Sequence, residues 1–299
     1  MPGRRRRASH AGSWYVNDPR QLGAELDQWL DAVGEPSLAA ARAIIGPHAG
    51  YRYCGACAGY AYRQIDPRRV ERVFILGPSH HIRLGGCAVS GCLKYETPFY
   101  DLAIDRAVNE ELMKTGEFEV MTLETDEDEH SIEMHLPYVA RVMEARGREN
   151  FTIVPILVGS LNPEKEAKYG RIFAKYLADP ANLFVISSDF CHWGQRFRYT
   201  HYDEKCGEIH ESIKALDFMG MNIIETLDHE AFSQYLRKYG NTICGRHPIG
   251  VFLGAVTAMR QHGNGFKMNL KFLNYDQSNQ VKQMRDSSVS YAAASFVLG

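Results

Sequence analysis

Histidines stand where this chain offers rigid backbone. Gly46-Pro47-His48-Ala49-Gly50 follows the apolar run Ala43–Ile45. Gly77-Pro78-Ser79-His80-His81 follows Arg72–Leu76, and Ser188-Asp189-Phe190-Cys191-His192-Trp193 follows Leu183–Ser187. Imidazole ligates transition metals and serves as an acid or base near neutral pH. A lone histidine after a strand is most simply a surface or packing residue. Three strand ends carrying histidine are another matter, because the loops at the carboxyl ends of parallel strands converge on one crevice. Gly and Pro around a histidine also fix its backbone, as a pre-organised ligand requires. A metal needs a further donor, and Asn241-Thr242-Ile243-Cys244-Gly245-Arg246 offers a thiol in a loop before a helix. A helix N-terminus and nearby cations lower a thiol's pKa, so Cys244 is expected to be a ligating or reactive thiolate. Taken alone, that segment reads more simply as a buried, inert cysteine.

Other patterns are weaker. Cys54-Gly55-Ala56-Cys57 has CxxC spacing, but no second pair completes a zinc site, and a packed helix start explains it better. His130 and His135 resemble a zincin pair, yet five residues turn about 140° around a helix, so they cannot share a face. His130 and Glu133 can, which suits a supporting role or a substrate contact. The acidic run Asp126–Glu129 reads as a helix N-terminus favoured by the macrodipole. No P-loop, GxGxxG, GxSxG or kinase motif is present.

The elements that must position these residues alternate along the chain. Strands are expected at Ala43–Ile45, Arg72–Leu76, Cys87–Ser90, Phe151–Val158, Leu183–Ser187, Lys267–Tyr275 and Ser288–Val297. Helices are expected at Ala58–Ile65, Arg106–Lys114, Ser131–Ala145, Pro163–Leu177, Tyr202–Leu216, His229–Tyr239 and Pro248–Gln261. Such alternation predicts an α/β fold, a mainly parallel mixed sheet flanked by helices, with late strands as antiparallel additions.

Composition narrows the function classes. The 299 residues carry 34 Lys+Arg against 36 Asp+Glu, so no global field attracts nucleic acid, and no apolar stretch is long enough for membrane insertion. Arg4–Arg7 is expected to lie in a flexible basic tail, residues 1–7, because no basic face extends it. No apolar segment follows it, so it does not read as a secretory signal. Seven dispersed cysteines, an odd number, fit reduced thiols better than a disulfide scaffold. The expected location is cytoplasmic, extending to the nucleus.

Seven segments carry a more specific message: Ala8–Tyr15 (ASHAGSWY), Pro47–Gly55 (PHAGYRYCG), Phe74–His81 (FILGPSHH), Thr125–Tyr138 (TDEDEHSIEMHLPY), Ser187–Tyr199 (SSDFCHWGQRFRY), Asn241–Gly250 (NTICGRHPIG) and Asp286–Ala293 (DSSVSYAA). In this order they resemble the Memo family, the mediators of ErbB-driven cell motility. The resemblance spans essentially the whole chain. It implies one domain, 1–299, with the fold of class III extradiol dioxygenases, non-haem iron enzymes that hold their metal with two histidines and a carboxylate. His48 and His80 match those histidines, while Cys244 takes the third place. His192 matches the acid/base histidine, with Asp189 beside it. A thiolate in place of a carboxylate shifts preference toward softer ions, making copper or iron the expected cofactor, with zinc a further fit. The family relays signals from receptor tyrosine kinases to the cytoskeleton and binds phosphotyrosine peptides. The implied partners are thus phosphotyrosine-bearing receptor or adaptor peptides and cytoskeletal regulators. A crevice containing His81, Arg196 and Arg198 beside the metal histidines is the expected anion acceptor. Two functions compete: a metal-binding signalling effector, and a metal-dependent oxygenase acting on a small phenol.

Overall fold

Residues 4–261 and 265–299 are described in the computed structural model of the chain. The chain opens with β1 (Arg5–Arg6), α1 (Pro19–Val33), β2 (Ala43–Gly46), α2 (Tyr51–Tyr62), β3 (Arg72–Pro78) and β4 (Cys87–Val89). Short strands β5 (Lys94–Tyr95) and β6 (Leu102–Ala103) precede α3 (Arg106–Lys114) and β7 (Phe118–Val120). Three short helices follow, α4 (Leu123–Asp128), α5 (His130–Glu133) and α6 (Leu136–Met143), then β8 (Thr152–Val158), α7 (Pro163–Ala178), β9 (Asn182–Ser187) and β10 (His192–Trp193). The remainder comprises α8 (Ile209–Glu225), α9 (His229–Tyr239), α10 (Arg246–Gln261), β11 (Met268–Gln277) and β12 (Ser288–Leu298).

The main sheet has the order β10-β12-β2-β9-β3-β8-β4-β7, with β11 on the other side of β12. Its centre, β2-β9-β3-β8, is wholly parallel. β12 and β11 are antiparallel additions, as expected from the sequence. The central strands are buried on both faces, which is why they read as continuous apolar runs. Side chains of β3 alternate between two cores: Phe74 and Leu76 pack on the face covered by α7 and α10, Val73 and Ile75 on the face covered by α1, α2 and α6. The α7–α10 pair lies so close that a Cβ on Gly170 would stand 2.4 Å from the carbonyl carbon of Gly254. Gly170→Ala is therefore expected to cost about 1–3 kcal/mol through overpacking, read from a urea midpoint. An unchanged midpoint would show that the helices can part freely.

Three expectations need correction. Arg4–Arg7 does not form a loose tail: Arg5–Arg6 pairs with β5, and the Arg6 side chain is fully buried among Asp126, Glu133 and Tyr95. Arg5, Arg6 and Arg7 look solvated in the sequence only because their acidic partners, Glu96, Asp101, Asp126, Glu127 and Glu133, lie some ninety residues or more away. The Ser131–Ala145 helix is broken at Met134–His135, with Pro137 in the first turn of α6, where its missing N–H costs nothing. The helix expected from Tyr202 starts at Ile209 and runs to Glu225, because Asp203 and Gly207 bracket a separate tight turn.

Candidate metal centre

Three parallel neighbours set the geometry. β2, β9 and β3 lie side by side in one direction, so His48, Asp189 and His80, each two residues beyond a strand, emerge at the same edge. The ring centroids of His48 and His80 are 5.2 Å apart. His130, at the start of α5, stacks on His80 at 4.5 Å and 16° and meets His48 edge-on at 5.4 Å. Ligating atoms of His48, His80 and His130 all lie within 4.8 Å of one another.

Each ring is held by its other side. His48 Nδ1 lies 2.6 Å from Ser187 Oγ, whose hydroxyl donates to the Ser131 carbonyl, and Nε2 points at Cys244 Sγ at 3.2 Å. His80 Nδ1 lies 2.8 Å from Glu129 Oε1, and its amide donates to Glu129 Oε2 at 2.7 Å. A carboxylate behind an imidazole fixes its tautomer and raises its basicity, the usual support for a ligating histidine. Glu129 also caps α5 through the Ser131 amide. Burial raises its carboxyl, but the hydrogen bond and charge of His80 hold it below the usual range. Burial and His80 likewise hold His130 well below the ordinary imidazole value, so its ring stays neutral and its lone pair is free for a metal. His48 is lowered as well, by burial first and then by its neighbouring histidines.

Cys244 comes from the loop before α10, and only glycine at 245 lets that loop settle there. A Cβ on Gly245 would stand 2.3 Å from both the Ser187 carbonyl and Ser188 Cβ. Burial, then the charge of Asp189, push the Cys244 thiol well up, outweighing the amide of Asp189 that points at it. A metal would supply the missing charge and displace the proton. Bonds of about 2.1 Å to nitrogen and 2.3 Å to sulfur at a tetrahedral angle put the two donors about 3.6 Å apart. The 3.2 Å His48–Cys244 spacing needs little opening to accept such an ion.

Asp189 and His192 line the same cavity, and Asp189 has a further contact. It supports His48: Oδ1 accepts the His48 amide at 2.8 Å and Oδ2 lies 3.9 Å from His48 Nε2. Burial raises its carboxyl, partly countered by His192. His192 Nδ1 faces the carbonyls of Phe190 and Thr242 at 2.9 and 3.0 Å. Both accept, so Nδ1 carries a proton, and in the neutral tautomer the lone pair belongs to Nε2. His192 lines a cavity of about 980 Å³ together with His48, His80, His130, Asp189 and Arg196. His81 is exposed and, like Arg198, does not line it; Arg198 ends the Gln195–Phe197 turn in a left-handed conformation. His130 and Glu129 were undervalued by sequence reasoning. The helix cap at Glu129 was legible, but its reach to His80 was not.

A family profile described as Memo-like protein matches residues 6–295. The chain belongs to the Memo-like family. Protein MEMO1 of Xenopus laevis is 61% identical over 293 residues, covering 98% of this chain and 97% of that relative. Protein MEMO1 of Homo sapiens is 59% identical with the same coverage. The memo-1 homolog of Caenorhabditis elegans is 52% identical over 289 residues, 96% of this chain and 81% of that one. A solved structure of the uncharacterized protein JW3007 from Escherichia coli K12 shares the fold, with a TM-score of 0.50 at 12% identity, covering 84% of this chain and 98% of that chain. In this Memo-like chain, Glu129→Gln is expected to weaken Zn(II) binding 10- to 100-fold and, because the fold holds this carboxyl low, to lower the thermal midpoint as well. Undiminished affinity in a calorimetric titration would show that His80 needs no carboxylate behind it.

Proposed function

We propose that the chain is a metal-binding redox and signalling effector of the cytoplasm, linking receptor tyrosine kinases to the cytoskeleton and cell motility through phosphotyrosine peptides. The observation that carries the metal half is the meeting of His48, His80 and His130 at one sheet edge, with Cys244 against His48. His48, His80 and Cys244 would hold the ion. The nitrogen and sulfur donors suit copper or iron, with zinc also accommodated, and copper or iron would supply one-electron chemistry when bound.

The peptide half rests on the crevice wall. Arg52 and Arg196 line it, each stacked on an aromatic ring, Tyr53 at 4.5 Å and Phe197 at 4.4 Å. Neither forms an ion pair with a carboxylate among the described residues, so both guanidinium groups are available to an anion. Trp14 and Tyr53 provide exposed ring faces on the same wall for an aromatic side chain.

Metal analysis of purified protein beside His48→Ala and Cys244→Ser tests the first half; both changes are expected to lower the metal content sharply. Content unaffected by either would remove the assignment. A phosphotyrosine peptide should bind at least tenfold more weakly after Arg196→Ala, and equal affinity for the unphosphorylated peptide would count against the crevice as an anion acceptor.

His192 favours a second reading, a metal-dependent oxygenase acting on a small phenol. With Nδ1 committed to two carbonyls, Nε2 is placed to take a phenolic proton inside the cavity. Oxygen uptake with a panel of catechols under Fe(II), abolished by His192→Ala, would support it. No uptake at any pH would reject it.

A further inference from the structure

We propose that His81, Glu129 and His130 form a second, outer site for a divalent transition-metal ion, next to the inner centre and joined to it by the stacking of His130 on His80. The donor atoms of these three residues lie within 4.8 Å of one another, as those of His48, His80 and His130 do. The two sets meet only in His130, and exposure falls along the series. His81 is exposed, His130 is half-buried, and His48 retains 2% of its surface.

The paired histidines at the end of β3 create this arrangement. In the bend beyond β3 the two rings part: His80 stacks on His130 while His81 meets His130 edge-on at 6.0 Å. Glu129 serves both sides. An ionised carboxylate offers roughly four acceptor positions. Three are taken, by the His80 amide, His80 Nδ1 and the Ser131 amide, which leaves one for an ion. His81 lies outside the large cavity that His130 lines, so an ion can reach the buried Glu129 carboxylate and His130 from the side on which His81 is exposed.

Two imidazoles and a carboxylate suit borderline ions such as Zn(II), Cu(II) or Fe(II), and lack the soft thiolate of the inner centre. The outer site is therefore expected to bind more weakly, and to hold an ion in a position from which His130 reaches the inner histidines. This proposal extends the metal centre proposed above and does not require it to be filled.

Calorimetric titration with Zn(II) separates the two. In His48→Ala, which damages the inner centre, the chain should retain one weak equivalent of Zn(II). Adding His81→Ala should weaken that equivalent at least tenfold, with the far-ultraviolet circular dichroism and thermal midpoint unchanged because His81 is exposed. Equal affinity of His48→Ala and the double variant would overturn the outer site. So would a His48→Ala protein that binds no Zn(II) while wild type binds one, an outcome that leaves the inner centre standing. Absence of binding to wild type would overturn both.

Discussion

Arg6→Ala is expected to destabilise the protein by about 3–5 kcal/mol, a large part of the total stability of an ordinary domain. The guanidinium is fully buried and each of its three nitrogens is engaged. Nε donates to the Asp126 carbonyl at 2.7 Å, Nη1 to the Arg7 carbonyl at 2.8 Å, and Nη2 to the Glu129 carbonyl at 3.0 Å. Nη1 also pairs with Glu133 Oε2 at 2.7 Å, and Nε with Asp126 Oδ1 at 3.3 Å. Removing it strands two buried carboxylates, which is far more costly than forgoing a surface pair. Arg6→Lys keeps the charge but cannot reproduce the planar fork, so an intermediate loss is expected. Urea midpoints of the three proteins decide this, and a loss below about 1 kcal/mol for the alanine variant would show the network to be dispensable. Because Arg6 grips the backbone of Glu129, the same variant should bind Zn(II) more weakly through a misplaced His80.

Acid should unfold the protein by way of Glu133. Burial would raise this carboxyl, but the His10 hydrogen bond and the Arg6 charge hold it down to about 2. The Tyr15 hydroxyl and the His10 amide also donate to it, at 2.8 and 2.9 Å. The folded value lies below the ordinary 4.5, so the unfolded chain binds more protons between the two and stability rises with pH across that window. The contribution is complete above about pH 5 and amounts to roughly 3 kcal/mol, lost as pH falls toward 2. His135, held down to about 3 by burial, adds in the same direction from its ordinary 6.5 downward. The stability difference between wild type and Glu133→Gln should therefore shrink by most of that amount between pH 6 and pH 2. Parallel profiles for the two proteins would mean that the carboxylate is not the acid-sensitive element.

Legibility in the sequence followed the range over which each feature is determined. The strands β2, β3, β8 and β9 were readable because burial on both faces makes them continuous apolar runs between turn residues. The spans of α3 and α9 matched their apolar spacing and helix caps, at Asp105 and Asp228. Helix α1 was missed because its buried positions are few, Leu22, Gly23 and Leu26, among polar residues. Strands β5 and β6 have two residues each, too short to show alternation. Within the site, strand, turn and histidine are neighbours in sequence, so His48 and His80 could be named from local pattern. The pairing of His80 with Glu129 spans 49 residues and that of Arg6 with the Asp126 carbonyl spans 120, and nothing local specifies either partner. The upward push on the Cys244 thiol was unreadable for the same reason, since it follows from burial and the charge of Asp189.

The position of β12 has a consequence for synthesis. This strand is made after every other strand described, yet it lies inside the sheet, joined to β2 and β10 on one side and to β11 on the other. Until Ser288–Leu298 leaves the ribosome, β2 carries an open edge directly beside the segment that bears His48. A nascent chain paused before that point presents an unpaired, apolar edge of the kind that recruits other strands. Chaperone demand should thus persist until β12 has been made, and a chain halted before Ser288 should aggregate although every histidine and cysteine of the metal centre has already been made.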